Sequence, residues 1–233
     1  MASRLVDLSH AIRHGMQTYP GLPAPAVGAF RTHEQSRPHY APGTEFHIGR
    51  IEMVTNTGTY LDAPFHRFRD AADLSGLPLE SLADLPGLVV TPARADRIAT
   101  PADLPDADLR GRAVLFHTGW SRHFGTQRYF DDHPYLETEV ADALVRRGAA
   151  LVGIDSLNID ATRTGARPVH TALLGAGIPI VEHLTHLDAL PAQGFRFFAV
   201  PVKVEGLGSF PVRAFAIVDE PAEEARAARR RAA

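Results

Sequence analysis

Between residues 87 and 218 the chain repeatedly gathers short apolar, partly β-branched runs separated by polar or glycine-rich breaks. Residues 87–90, 113–116, 150–154, 178–181 and 197–202 are too short for stable helices and have no polar face, which predicts buried strands. Residues 214–218 read as a further strand after the glycine-rich turn at 205–209. Residues 46–54 differ, because they alternate apolar and polar side chains with period two, the pattern of a half-buried strand. Helical periodicity is rarer. Residues 138–147 place Val140, Leu144 and Val145 on one stripe and stop before Gly148, so a helix is predicted there. Residues 182–189 are a shorter helix candidate, and residues 222–231 a charged, alanine-rich terminal one. Residues 15–45, rich in Gly and Pro and without periodicity, read as extended loop. With no internal repeat and no linker, residues 1–233 are expected to form one strand-rich α+β domain with a charged C-terminal helix.

Composition narrows the function. A chain of 233 residues buries about 70% of its unfolded surface, so it needs neither disulfides nor metal merely to fold. Hydrophobic content of 45% and charged content of 22% exclude global disorder. The net charge of −3 supplies no basic excess to displace phosphate counterions, so no nucleic-acid partner is expected. The arginines near the C-terminus stand among glutamates and read as a solvated face. Cysteine is absent, which removes disulfide scaffolds, thiolate zinc sites and cysteine nucleophiles. No apolar run approaches the ~18 residues of a membrane span, so no membrane partner is expected. The first residues carry acids and histidines instead of the apolar stretch of a signal peptide, so the expected compartment is the cytoplasm.

The densest candidate chemistry lies at 56–66, Asn-Thr-Gly-Thr-Tyr-Leu-Asp-Ala-Pro-Phe-His. Gly58 and Pro64 punctuate it into a fixed turn, from which Asp62 and His66 project after a predicted strand. Taken alone, Asp62 could cap the turn and His66 could bond a carbonyl. His170 and Glu182 bracket a second apolar segment, and a carboxylate ending an apolar strand is costly unless paired or metal-bound. Asp155 and Asp160 follow another buried strand in the same way. Trp120, Phe124, Tyr129 and Phe130 could form an aromatic substrate wall or ordinary core. His117, His123 and His133 fit no ligand spacing, and His183 and His186 are expected at the surface. Ser121, Ser156 and Ser209 lie in no Gly-x-Ser-x-Gly elbow.

The blocks VDLSHAIRHGMQTYPG, GTYLDAPFHRF, HTGWSRHFGTQRYFDDHPYL, LVGIDSLNID, HTALLGAGIPIVEHLTHLDAL and FFAVPVKVEGLGSFPVRAFAIV together resemble the putative cyclase family, which includes bacterial kynurenine formamidases and isatin hydrolases. The resemblance implies a β-rich swivelling β/β/α fold, a homodimer or homotetramer, and metal-assisted hydrolysis of a small-molecule carbonyl compound. It implies Asp62, His170 and Glu182 as metal ligands and His66 as catalytic histidine. The family signature His-x-Gly-Thr-His-x-Asp-x-Pro-x-His is broken twice, by Asn56 and by Tyr60. Asn56 could offer a carbonyl oxygen to a metal, and Tyr60 could donate to a developing oxyanion or simply pack. Oxygen donors in place of imidazole favour manganese or magnesium over the zinc that suits a nitrogen-rich site, so the expected ion is manganese or zinc, and no organic cofactor is implied.

The expected function is therefore hydrolysis of a cyclic or formyl amide or ester. The ion would polarise the carbonyl and acidify a water, and His66 would shuttle the proton. A metal-independent cyclase or dehydratase acting on a polyketide-like substrate is the alternative. An inactive member that keeps the fold is the third.

Overall fold

The computed structural model describes residues 2–93 and 98–220. Among the described residues eleven strands are formed: β1 (Ala2–Asp7), β2 (Ala26–Arg31), β3 (Ile48–Glu52), β4 (Tyr60–Asp62), β5 (Leu85–Val90), β6 (Ala113–Phe116), β7 (Leu151–Ile154), β8 (Ile180–Glu182), β9 (Gln193–Phe198), β10 (Ser209–Pro211) and β11 (Phe215–Glu220). The helices are α1 (His33–Ser36), α2 (Thr138–Arg146) and α3 (Pro168–Gly175), with several 3₁₀ turns. Nine strands share one mixed sheet in the order β1-β11-β9-β5-β6-β7-β8-β4-β10, while β2 and β3 pair only with each other.

The central strands β5, β6, β7 and β8 run parallel, and helices α2 and α3 lie in the last two crossovers. Successive side chains of these strands serve opposite cores. Val114, Phe116, Val152 and Ile154 pack with Val140, Leu144, Val169 and Leu173 of the helices. Ala113, Leu115, Leu151 and Val181 instead join Leu8, Phe195, Phe197 and Ala216 on the other face. Burial on both faces explains why these strands read as unbroken apolar runs. The runs at 87–90, 113–116, 150–154, 178–181 and 214–218 each fall within two residues of an observed strand, and the helix at 138–147 within one.

The structure departs from the expectations at five points. The strand expected at 197–202 lies at Gln193–Phe198, because Pro201 follows and cannot donate to a ladder. Residues 182–189 are no helix: Glu182 ends β8, and His183 and His186 take left-handed backbone at φ 58° and 54°, which no α-helix accommodates. The helix α3 was masked in the sequence by its apolarity, since a segment buried around most of its surface shows no stripe. Residues 15–45 contain β2 and α1, and β3 at 46–54 is exposed throughout instead of half-buried. The alternation is there, but among the described residues the β2–β3 ribbon joins no third strand, so Ile48 and Ile51 stay exposed. The expected C-terminal helix at 222–231 lies outside the described residues. None of the described helices is long and apolar enough to cross a membrane.

Candidate active site

Three neighbouring strands assemble the site. β4 pairs antiparallel with β8, setting Tyr60 opposite Glu182, and with β10, setting Asp62 opposite Ser209. Because side chains alternate along a strand, Tyr60 and Asp62 share one face while Leu61 enters the core. Directly opposed residues then meet. The Tyr60 hydroxyl donates to Glu182 Oε2 at 2.5 Å, and the Ser209 hydroxyl makes a short bond to Asp62 Oδ1. The preceding turn is fixed by Gly58, which has left-handed φ (69°) and donates its N–H to Thr18 Oγ1.

His66 ends the 3₁₀ turn Pro64–His66 that follows β4. Its Nδ1 lies 2.9 Å from Ser209 Oγ. A serine hydroxyl has one proton, and here a carboxylate that can only accept takes it. The Ser209 oxygen must then accept from His66 Nδ1–H, which leaves the lone pair of neutral His66 on Nε2. The His66 side chain is 38% exposed at the cavity, so this base is accessible. A Cβ on Gly208 would lie 2.6 Å from the His66 N and Cα atoms; only glycine lets β10 approach this closely.

His170 is the third residue of α3. Asp160 accepts from the main-chain N–H groups of Val169 at 2.9 Å and His170 at 3.0 Å, and from His170 Nδ1 at 2.7 Å. One carboxylate thus caps the helix and orients the imidazole, leaving Nε2 at 3.7 Å from Asp62 Oδ2 and 3.6 Å from Glu182 Oε1. Neither separation is a hydrogen bond. Among the described residues Asp62 Oδ2 is buried with no hydrogen-bond partner. Glu182 Oε1 accepts from Ile159 N–H at 2.7 Å, and Asn158 Nδ2 reaches Oε2 at 3.4 Å.

The charges follow from this packing. Burial alone would raise the Asp62 carboxyl, but His170, His66 and Ser209 together hold it below its ordinary value. Burial would depress His170, yet Asp160, Asp62 and Glu182 overcome it and push the imidazole up to about 10. Glu182 is raised to about 7, chiefly by burial, with His170 opposing and Asp62 adding. Burial beside Glu182 and Asp62 lifts Tyr60 well above the ordinary phenol, so it remains a donor.

This donor set fits a divalent cation. Asp62, His66 and His170 each bring one ligand atom within 4.8 Å of the others, and Glu182 Oε1 lies 3.6 Å from His170 Nε2. Asp62 Oδ2 is buried without a hydrogen-bond partner, and a bound cation, with His170 deprotonated as its ligand, would satisfy that oxygen. Asn56, expected among the ligands, instead turns its amide nitrogen to Ser209 Oγ at 3.3 Å and Asp62 Oδ1 at 3.5 Å. The Tyr60 proton, expected for an oxyanion, is committed to Glu182.

A cavity of about 250 Å³ opens over this floor, lined by Tyr19, Asn56, Tyr60, His66, His170 and Glu182 among others. Trp120 and Phe124 do not line it. Trp120 is buried against Tyr129 and Leu157, its Nε1 donating to Tyr129 O at 3.1 Å, while Phe124 stacks on His10 with ring centroids 3.7 Å apart. Asp155 receives Thr118 and Gly119 and serves a turn beside this aromatic cluster. His186 is exposed, but His183, expected at the surface, is wholly buried with its Nδ1 3.2 Å from the Tyr129 hydroxyl.

The sequence profile described as "Putative cyclase" matches residues 6–161. The chain belongs to the putative cyclase family. Kynurenine formamidase of Bacillus cytotoxicus is 28% identical over 214 residues, covering 91% of this chain and 97% of the relative. That of Erythrobacter litoralis is 29% identical over 201 residues, covering 86% and 88%. Isatin hydrolase A from Labrenzia aggregata, solved bound to benzyl benzoate, superposes with a TM-score of 0.79 at 24% identity, covering 94% of each chain. A structure described as a potential metal-dependent hydrolase with cyclase activity gives a TM-score of 0.76 at 27% identity, covering 94% and 100%.

Sequence reasoning missed Ser209 and Asp160 as site residues. Ser209 was set aside for lacking a nucleophile elbow, yet its place after Gly208 in a tight turn was a signal for close approach. Asp160 stood out only as a carboxylate after a buried strand.

Proposed function

We propose that the chain hydrolyses a cyclic or formyl amide or ester of a compact substrate. Asp62, His170 and Glu182 would hold a divalent ion, manganese or zinc, and His66 would be the general acid/base. The observation that carries the reading is the chain from Asp62 through Ser209 to His66, which presents an accessible basic Nε2 beside an orphaned carboxylate oxygen. When bound, the ion supplies Lewis acidity toward the carbonyl and a water of lowered pKa. His66 Nε2 takes the proton of the attacking water and returns it to the leaving amine or alkoxide. Asp160 keeps His170 turned to the floor, and Tyr60 holds Glu182 through Oε2. In this reading Tyr60 and Asn56 are donors that fix the two carboxylates. Trp120 and Phe124 support the wall from behind.

We further infer the swivelling β/β/α type for this mixed sheet, one domain, a cytoplasmic location and a homodimer or homotetramer. In support of one domain, the first and last described strands pair with each other. In support of the oligomer, the β2–β3 ribbon exposes Phe30 (67%) and Ile51 (50%), and a lone two-stranded ribbon is marginal in water.

The test joins elemental analysis, before and after chelation, to turnover of aryl formamides, lactams and lactones. Asp62→Asn and Glu182→Gln are expected to lose the ion while remaining folded, and His66→Ala to keep it with kcat lowered about 10²–10⁴-fold. Turnover that survives chelation would favour the cyclase or dehydratase alternative. Undiminished metal in both carboxylate variants would place the ligands elsewhere.

A further inference from the structure

The floor and wall of the cavity carry different charge. On the floor, the carboxylates of Asp62 and Glu182 would balance a divalent ion. On the wall stand two guanidinium groups, Arg67 and Arg167, beside Tyr19. Among the described residues neither arginine has a carboxylate within ion-pair distance, in contrast to Arg163 with Asp132 and Arg213 with Asp7.

Arg167 stands at the start of α3, and Arg67, which follows the 3₁₀ turn Pro64–His66, reaches across to the same helix. Arg167 precedes its first residue and is held by Nη1, which donates to Ala161 O at 3.2 Å, Thr164 O at 2.7 Å and Ala166 O at 2.7 Å. Arg67 donates Nε to Thr171 Oγ1 at 3.2 Å, and that hydroxyl donates to Arg167 O at 2.7 Å. One hydrogen-bond chain therefore ties the two residues together. Backbone carbonyls neutralise little of a full charge, and they engage one edge of Arg167 only. The terminal nitrogens of Arg67 make no hydrogen bond within the described protein. Burial and Glu182 raise the Tyr19 phenol above its ordinary value, and the neighbouring Arg167 cation opposes them, which places the hydroxyl beside that guanidinium.

We propose that Arg67 and Arg167, with the Tyr19 hydroxyl, bind a carboxylate carried by the substrate at the end away from the scissile carbonyl. A guanidinium fork matches a planar carboxylate, and one already held by three carbonyls loses little freedom on binding. The cavity of about 250 Å³ lies just below the usual range of ligand sites, which suits a one-ring acid. The substrate class is thus a compact anionic amide or ester. The word substrate rests on the hydrolase reading; the binding of the carboxylate does not.

Calorimetric titration of the protein as purified with benzoate and with its neutral isostere benzamide tests this directly. Benzoate is expected to bind at least tenfold tighter, about 1.4 kcal/mol, with an advantage that shrinks as salt is raised. The double variant Arg67→Gln with Arg167→Gln should bring the two ligands within about twofold of each other. Because Arg167 also anchors the loop at 161–166, the single variant Arg67→Gln serves as second readout and should cut the ratio at least threefold. Equal affinity in wild type, undetectable benzoate binding, or a benzoate advantage that survives Arg67→Gln and the double variant would overturn the proposal. The last result would assign the carboxylate to the floor. Failure of the hydrolase reading is separately visible: the benzoate preference would persist and depend on the arginines, while no amide or ester turned over.

Discussion

Replacing Tyr60 with phenylalanine removes one oxygen from a buried cross-strand pair and leaves the ring in place. Tyr60 is 2% exposed and Glu182 0%, and the lost bond is 2.5 Å long, so water cannot substitute for the missing donor. A hydrogen bond to a charged group contributes about 1.5–3 kcal/mol and a neutral one about 0.5–1.5 kcal/mol. Which value applies depends on Glu182, whose carboxyl is raised by burial to about 7 from 4.5. Its contribution to stability is present below its unfolded value and is lost as pH rises through the folded one. In metal-free protein Tyr60→Phe should therefore cost about 1.5–3 kcal/mol at about pH 8.5, where the acceptor is a carboxylate. At about pH 5.5, where it is a neutral acid, the cost should fall to about 0.5–1.5 kcal/mol. The difference, about 1 kcal/mol, corresponds to raising Glu182 by a further pKa increment of about 0.7. Urea unfolding of chelated wild type and variant at the two pH values, followed by circular dichroism, gives both numbers. An equal cost at the two pH values, or no cost at the higher one, would refute the assignment of Tyr60 as the donor that holds ionised Glu182.

Restoring the broken signature should change the metal. Asn56→His with Tyr60→His puts imidazoles where an amide and a phenol now stand, and zinc binding to the apo-protein is expected to tighten at least tenfold, about 1.4 kcal/mol; equal zinc affinity of wild type in calorimetry would count against it. Acid stability offers an independent check. Burial lowers His10 to about 4 and His183 to about 3, so the unfolded chain binds more protons than the folded one below about pH 6.5. Stability should fall as pH drops from there toward 4. His183→Asn, which suits the left-handed backbone, should flatten that limb; a variant with the wild-type slope would show that His183 is not one of the groups responsible.

How much of this was legible in the chain divides along a physical line. Segments whose burial is uniform announce themselves: the strands at 113–116 and 150–154 are apolar because both faces are covered, and the helix at 138–147 is striped because one face is. The turn carrying Asp62 and His66, and the carboxylate at the end of an apolar strand, were readable because each residue type is costly or punctuated where it stands. The family followed from the order of such blocks. The rest depended on partners far away in sequence. Ser209 meets Asp62 from 147 positions away in sequence, through a register that only sheet pairing sets, and the tautomer of His66 follows from that meeting. Tyr60 looked free to serve an oxyanion until β8 placed Glu182 opposite it. Trp120 and Phe124 looked like a pocket wall until their packing against Tyr129 and His10 turned them away. Local sequence determines what each segment must bury or turn. Which buried polar group shares its proton with which is decided by strand order and register, because hydrogen bonds are made between neighbours in space.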